Sequence, residues 1–388
     1  MKGLIQRFAT VQRIQESFSV HPIVALTGPR QCGKTTLAQL LASEDASATC
    51  FDLESAVDRR RLENPEGALG QLQGLVIIDE VQRLPYLFEA LRPLVDRATN
   101  SARFLLLGSA SPQLVKGVSE SLAGRVGLVD MTGFSLSEVG ATAWRELWLR
   151  GGFPRSFLAS DLTGSTRWRE SFVSTFLERD MQQLGITIPS EAMRRFWTMI
   201  AHYHGQVWNA AEFARALGAS QATARRYLDV LAGAFMIRVL PPWFENLKKR
   251  QVKAPKIYIK DSGILHNLLE LGSERAVAGH SKVGASFEGF AIEQLLTAVE
   301  TRNAYYWATH AGAEIDLVIF RGGKRFGFEC KMSDAPGTTR SIRAALDSLR
   351  LDHIWILYPG DQVYSLDAKI SVLPVSQIPE MIEEMGKS

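Results

Sequence analysis

Residues Gly28-Pro29-Arg30-Gln31-Cys32-Gly33-Lys34-Thr35 constrain the fold of this chain more than any other stretch. Two glycines separated by four residues and followed by Lys-Thr form a phosphate-cradling pattern. The glycines let backbone N–H groups wrap phosphate oxygens, Lys34 reaches the β and γ oxygens, and the Thr35 hydroxyl takes a Mg²⁺ position. Such a loop must join a strand to a helix. Apolar Ile23-Val24-Ala25-Leu26 reads as the strand, and Thr36 to Leu41 as a helix whose N-terminus points at the anion. Gly28, Pro29, Arg30, Gln31, Cys32, Gly33, Lys34, Thr35 and Thr36 are therefore the candidate nucleotide contacts. A Gly-rich turn before a helix, with no ligand, is the alternative.

A second motif completes a site. The continuous apolar run Leu75-Val76-Ile77-Ile78 reads as a buried parallel strand that delivers Asp79-Glu80 to its C-terminal end. Open α/β sheets bind ligands there. Asp79 is expected to hold Mg²⁺ with Thr35, and Glu80 to polarise the attacking water. An acidic pair capping a helix is the bland reading.

At 388 residues the chain has material for two or three domains, and 46% hydrophobic content is ordinary for a globular protein. No apolar run is long enough to span a membrane and the first residues lack a signal-peptide pattern, so a cytoplasmic chain without membrane contact is expected. Cys32, Cys50 and Cys330 have neither disulfide-framework nor zinc-site spacing. A net charge of +3 is too small to imply a polyanionic partner by itself, which leaves the local charge distribution to decide.

From Ile23 to about Met131, strands at Cys50–Leu53, Val76–Asp79, Phe104–Leu107 and Val126–Val129 alternate with amphipathic stretches, the pattern of a parallel, doubly wound α/β sheet. Pro93 is expected to kink or end the helix around Leu87–Val95. Ser109, at the end of a strand expected beside that of Asp79, is a candidate contact to the γ-phosphate or attacking water. Arg125 is a candidate source of positive charge for phosphoryl transfer, with a surface arginine the alternative.

Gly151-Gly152-Phe153-Pro154 reads as a hinge into a helical region. There Ala210–Leu217, the turn Gly218–Ser220 and Gln221–Leu231 spell a helix-turn-helix, and strands near Phe235–Leu240 and Lys256–Ile259 add a wing. Between Trp243 and Lys260 the wing carries Lys248, Lys249, Arg250, Lys253, Lys256 and Lys260 against the single acid Glu245. A cluster like that suits phosphate contacts, so Arg225, Arg226, Lys248, Lys249, Arg250 and Lys253 are the candidate DNA-binding residues. Winged helices also dock proteins, and a basic run can be a solvated loop.

Glu314–Arg321, Gly322-Gly323 and Lys324–Lys331 form a β-hairpin by alternation and turn. Pairing Arg321 with Lys324 sets Asp316 opposite Glu329 and Glu314 opposite Lys331, with Ile315, Leu317, Ile319, Phe326, Phe328 and Cys330 on one apolar face. Facing carboxylates ~5 Å apart at Cβ need compensation. A divalent metal beside Lys331 would supply it, and a solvated face of balanced charges is the alternative.

With these residues in place the chain resembles, end to end, the bacterial and archaeal AAA+-type P-loop ATPases that continue into a winged helix and a domain similar to PD-(D/E)xK nucleases. Gly28 to Thr36, Asp79-Glu80-Val81-Gln82, Gly108-Ser109-Ala110-Ser111, Leu122-Ala123-Gly124-Arg125, Gly151-Gly152-Phe153-Pro154, Lys260-Asp261-Ser262-Gly263 and Gly312 to Asp316 carry the likeness. The resemblance implies a P-loop NTPase parallel sheet over 1–145, a helical and winged-helix domain over 146–278, and an α/β restriction-endonuclease-like domain over 279–388. It also implies ATP and Mg²⁺, and a homo-oligomeric ring, a hexamer, with Arg125 or its rival Arg155 as a finger. In the last domain it implies Glu288, Asp316 and Glu329 as ligands of a second Mg²⁺ or Mn²⁺, with Lys331 a phosphate or catalytic residue. The expected function is an ATP hydrolase acting on duplex or branched DNA, with nuclease activity open. The alternative is a nucleotide-gated DNA- or protein-binding switch whose nuclease-like domain is inactive.

Overall fold

The computed structural model describes residues 5–97, 101–109, 121–183, 186–244, 251–301 and 303–387. The chain divides into two compact units, Met1–Gly133 with Gly233–Phe235, and Phe134–Ala232 with Met236–Ser388.

The first unit is built on strands β1 (Ile23–Gly28), β2 (Thr49–Asp52), β3 (Gly74–Asp79), β4 (Ala102–Ser109) and β5 (Val126–Asp130), in the order β2-β3-β4-β1-β5. All their pairings are parallel. Alternate residues of each strand go to opposite faces. Ile23, Ala25, Val76, Ile78, Phe104 and Leu106 pack in one apolar cluster, while Val24, Leu26, Leu75, Ile77, Leu105 and Leu107 pack in another. Both faces of β1, β3 and β4 are thus covered, which is why these three strands read as nearly unbroken apolar runs. The expected sheet and its strands are present, with β4 beside β3 as the sequence predicts. Pro93 sits in the last turn of helix Leu87–Val95, which stops two residues later.

The second unit begins with helices, among them Trp144–Arg150, Leu162–Thr175 and Ser190–His202. It continues through β6 (Gln206–Val207), helices Ala210–Leu217 and Gln221–Gly233, β7 (Ile237–Leu240) and β8 (Lys256–Ile259). Gly218, in the left-handed region at φ 64°, closes the first of the two helices and permits the turn. The strands form an antiparallel sheet in the order β6-β8-β7, so the expected helix-turn-helix and wing strands are present, with β8 in the middle.

Helix Val283–Val299 then leads into β9 (Ala304–Ala308), β10 (Glu314–Arg321), β11 (Lys324–Cys330), helix Arg340–Leu349, β12 (His353–Tyr358), β13 (Tyr364–Asp367) and β14 (Ile370–Pro374). The sheet order is β13-β14-β12-β11-β10-β9. Two features depart from the sequence reading. The Gly151-Gly152-Phe153-Pro154 segment is no free hinge: Gly151, Gly152 and Phe153 are buried, and the Asp261 carboxylate accepts the Gly152 N–H at 2.8 Å. The hairpin also keeps its predicted register only from Leu317↔Phe328 to Arg321↔Lys324. A bulge against β9 between Ile315 and Val318 breaks the period of two, and Ile315 packs in the cluster of Val318, Ile342 and Ile354.

Candidate functional site

In the first unit the phosphate loop runs from the end of β1 to helix Lys34–Glu44. Gly33 caps that helix at φ 102°, and Gln31 is also left-handed at φ 62°. A Cβ on Gly28 would meet the Met131 carbonyl oxygen at 2.1 Å, so no side chain fits there. Lys34 is buried, its ammonium donating to the Gly28 and Pro29 carbonyls at 3.0 and 2.8 Å. Cys32 is fully buried, whereas Gln31, Thr35 and Thr36 are exposed and Arg30 half-buried.

The two motifs meet. The Thr35 hydroxyl donates to Asp79 Oδ2 at 2.7 Å, and Asp79 Oδ1 accepts the Glu80 N–H at 2.8 Å. A hydroxyl touching a carboxylate at the mouth of a phosphate loop is a hard-oxygen donor set that fits Mg²⁺. Glu80 takes a left-handed backbone at φ 53°, a strained setting for a non-glycine residue, and accepts a hydrogen bond from the Gln82 amide. Burial, and then the Asp79 charge, push the Glu80 carboxyl above its ordinary range against the pull of Arg30 and Lys34. The β1–β4 pairing places Ser109 beside Gly28, although the Ser109 side chain lies outside the described residues.

Sequence reasoning missed Arg7. Its buried guanidinium donates to the carbonyls of Cys32, Thr132 and Gly133 at 3.2, 3.0 and 3.1 Å, tying the loop to the chain after β5. An isolated arginine near the start of a sequence gives no signal of that role. Arg125 stands at the N-terminal end of β5, the opposite end of the sheet from the loop. The six residues of β1, roughly 20 Å, separate the two positions. Its guanidinium grips the Asp96 carboxylate at 2.7 and 2.8 Å.

In the second unit the structure gathers two of the predicted ligands, Glu288 and Asp316, together with Glu314, around a lysine assigned to another role. Lys256, counted with the basic wing, is buried on β8. Its ammonium pairs with Glu288 Oε1 at 3.0 Å, with Asp316 Oδ1 at 3.4 Å and with Glu314. The Tyr258 hydroxyl donates to the same Glu288 oxygen at 2.5 Å, and Asp316 Oδ2 accepts the Cys330 N–H at 2.9 Å. Burial works against the Lys256 charge, but Glu288, Tyr258, Asp316 and Glu314 outweigh it and hold the ammonium protonated. Burial, and then Asp316, raise the Glu288 carboxyl.

Lys331 pairs with Glu329 at 2.5 Å, not with Glu314 as the register implied. Asp316 and Glu329 are 7% and 6% exposed, which rules out a solvated face. A divalent ion does not fit these acids as they stand, because an ammonium already sits among them. Among the described residues no group of three or more His, Cys, Asp and Glu side chains is arranged to hold a metal.

Of the predicted DNA contacts, Arg225 and Arg226 are exposed on the second helix of the helix-turn-helix, and Lys253 is exposed on the wing. Lys248, Lys249 and Arg250 lie outside the described residues. The wing is less basic at its surface than the sequence suggested, since Lys256 points inward and Lys260 is half-buried. Arg155, the rival finger, is exposed.

A five-stranded parallel sheet with a phosphate loop after β1 and an acidic pair after β3 defines a P-loop ATPase fold of the AAA type, and a family model described as "AAA domain" matches residues 20–140. Two models described as domains of unknown function match residues 141–275 and 283–378. The chain is 49% identical over 375 residues to "Uncharacterized protein Rv2008c" of Mycobacterium tuberculosis, and equally to "Uncharacterized protein Mb2031c" of Mycobacterium bovis. Each alignment covers 97% of this chain and 85% of the relative. The chain belongs to the family of these mycobacterial proteins, an AAA domain followed by the two further domains. Among solved structures it is similar to the Walker-type ATPase paby2304 of Pyrococcus abyssi, with a TM-score of 0.50, 15% identity, and coverage of 69% of this chain and 96% of that one. No helix among the described residues is long and apolar enough to cross a membrane.

Proposed function

We propose that this chain is a Mg²⁺-dependent ATP hydrolase that acts on DNA. The observation that carries the ATPase part is the Thr35 hydroxyl resting on Asp79 while Lys34 lies folded into the phosphate loop. In this reading the loop amides from Gly28 to Thr36 and the Lys34 ammonium bind the phosphates, and Thr35 with Asp79 holds Mg²⁺. The bound Mg²⁺ offsets charge on the phosphates. Glu80 takes a proton from the attacking water, and Ser109 orients that water or the γ-phosphate.

Arg125 serves a neighbouring subunit in a homo-oligomeric ring, which we take to be a hexamer. Its place at the far end of the sheet argues against service to its own nucleotide. DNA lies against Arg225, Arg226 and Lys253, with Lys248, Lys249 and Arg250 adding phosphate contacts. For the C-terminal region a second reading is favoured by a specific observation. With Lys256 among Glu288, Glu314 and Asp316, the nuclease-like domain serves as a binding module rather than a cleaving one.

The test is ATP turnover with Mg²⁺ on single-stranded, duplex and four-way-junction DNA, followed by inspection of the DNA for nicks. Turnover stimulated by DNA of any sequence supports the motor or remodelling reading. Slow turnover with tight, sequence-restricted binding supports a nucleotide-gated switch, and no turnover under any condition overturns the ATPase.

A further inference from the structure

Among the described cations of its basic stretch, Lys253, Lys256 and Lys260, only Lys256 is buried. Its strand β8 is the middle strand of three, so the Lys256 backbone is held on both sides, opposite Val207 and Leu240. The chain on either side of the wing is anchored as well. The Trp243 and Val252 N–H groups donate to Tyr306 and Ala308 of β9 at 2.7 and 3.1 Å, and the Tyr306 hydroxyl donates to the Ala254 carbonyl. These ties bring β8 to β9 and β10, and they place the Lys256 ammonium 5.7 Å from the Tyr306 ring centre and within reach of three carboxylates. Tyr258, two residues on and therefore on the same side of β8, adds its hydroxyl to Glu288.

Buried carboxylates need a counter-charge, and an unpaired one is costly. A divalent ion and a lysine ammonium are alternative solutions to that requirement. They cannot share one position: both demand the same oxygens, and like charges at contact repel. A cation tethered to the fold also has an effective concentration of the millimolar order or more, so a dissolved ion must outcompete a partner that never leaves. The ammonium differs in chemistry too, because it donates hydrogen bonds but offers no open coordination position for a water.

We propose that Lys256 is the resident cation of this cluster, so that Glu288, Glu314 and Asp316 are closed to Mg²⁺ and Mn²⁺ in the wild-type chain and open to them once the lysine is shortened. The inference concerns the second unit alone and stands whether or not the phosphate loop hydrolyses ATP.

The experiment is Mn²⁺ titration of the nucleotide-free full chain, followed by the electron paramagnetic resonance signal of free Mn²⁺ and by thermal melting. An Asp79→Asn background keeps the phosphate-loop site out of the count. With Lys256 in place, no Asp316-dependent Mn²⁺ binding is expected up to about a hundred micromolar. Lys256→Ala should gain one Mn²⁺ per chain and a melting temperature that rises on adding the ion, and Asp316→Asn on top should remove both. Asp316-dependent binding with Lys256 present overturns the proposal, as does a folded Lys256→Ala chain that binds none. If Lys256→Ala fails to fold, Lys256→Met combined with Glu288→Gln and Asp316→Asn removes the cation and its two more buried counter-charges, leaving only the half-exposed Glu314. Recovery of a cooperative melt near that of the Asp79→Asn parent supports a charge-balancing lysine, and no recovery refutes it.

Discussion

Glu80→Gln is the substitution that separates binding from chemistry at the phosphate loop. Gln keeps the shape of the side chain, so the left-handed backbone at φ 53° and the Glu80 N–H bond to Asp79 at 2.8 Å are preserved. The groups assigned to phosphate and Mg²⁺, namely Lys34, Thr35 and Asp79, are untouched. What is lost is the carboxylate to which the proposed function assigns the role of base. Positioned general bases contribute about 10²–10⁴ in rate, so the barrier should rise by ~3–5 kcal/mol, at 1.36 kcal/mol per tenfold. Steady-state turnover should fall by at least a hundredfold, while ATP binding followed with a fluorescent analogue stays within about threefold.

The pH profile adds a second reading of the same residue. Burial raises the Glu80 carboxyl, and the base must be ionised to act. Wild-type turnover should therefore be lost as pH falls through a value above the ordinary carboxylate range, and the residual rate of Glu80→Gln should lack that limb. Turnover in the variant within tenfold of wild type, or an identical acid limb in both proteins, refutes Glu80 as the base.

Three further outcomes follow from the geometry. Arg125→Ala and Lys34→Ala chains, each inactive alone, should recover part of the turnover when mixed, because Arg125 lies a strand length from its own phosphate loop. No recovery despite demonstrated mixing contradicts action between subunits. Changing Arg225, Arg226 and Lys253 together to Ala should weaken DNA binding and flatten its salt dependence, with a slope reduced by about one per lost phosphate contact. An unchanged slope removes this face from the DNA interface. Gly151→Ala should destabilise the chain by ~2–5 kcal/mol, because φ is 78° and the new Cβ would meet Asp261 Oδ1 at 2.1 Å. A denaturant midpoint equal to wild type would show that this joint yields freely.

Local patterns in the sequence were enough for much of this. The phosphate loop, Asp79-Glu80 and the five strands of the first unit are legible because each is a contiguous run whose chemistry depends on spacing. The helix-turn-helix is legible for the same reason, with Gly218 marking its turn. What stayed hidden depends on contacts distant in sequence. Lys256 lies 60 residues before Asp316, and in a basic stretch a lysine reads as a surface charge. The available signal was its position in Lys256-Ile257-Tyr258-Ile259, where all four residues are buried and a charge needs a buried partner. The bulge at Ile315–Val318 leaves no mark in an alternating sequence, so the predicted hairpin face was right beyond Leu317 and wrong at Ile315. The Gly151–Gly152 pair looked like a hinge because glycines also mark hinges, whereas here they admit the Asp261 carboxylate.

In the proposed reading the phosphate loop and Asp79, at the end of β3, form one working Mg²⁺–nucleotide site. Its most direct test is single-turnover hydrolysis of γ-labelled ATP by wild type and Lys34→Ala, with Mg²⁺ and with chelator. Wild type should release labelled phosphate only when Mg²⁺ is present, and Lys34→Ala should release none. Equal release by the two proteins, or release by wild type that is indifferent to Mg²⁺, would contradict it.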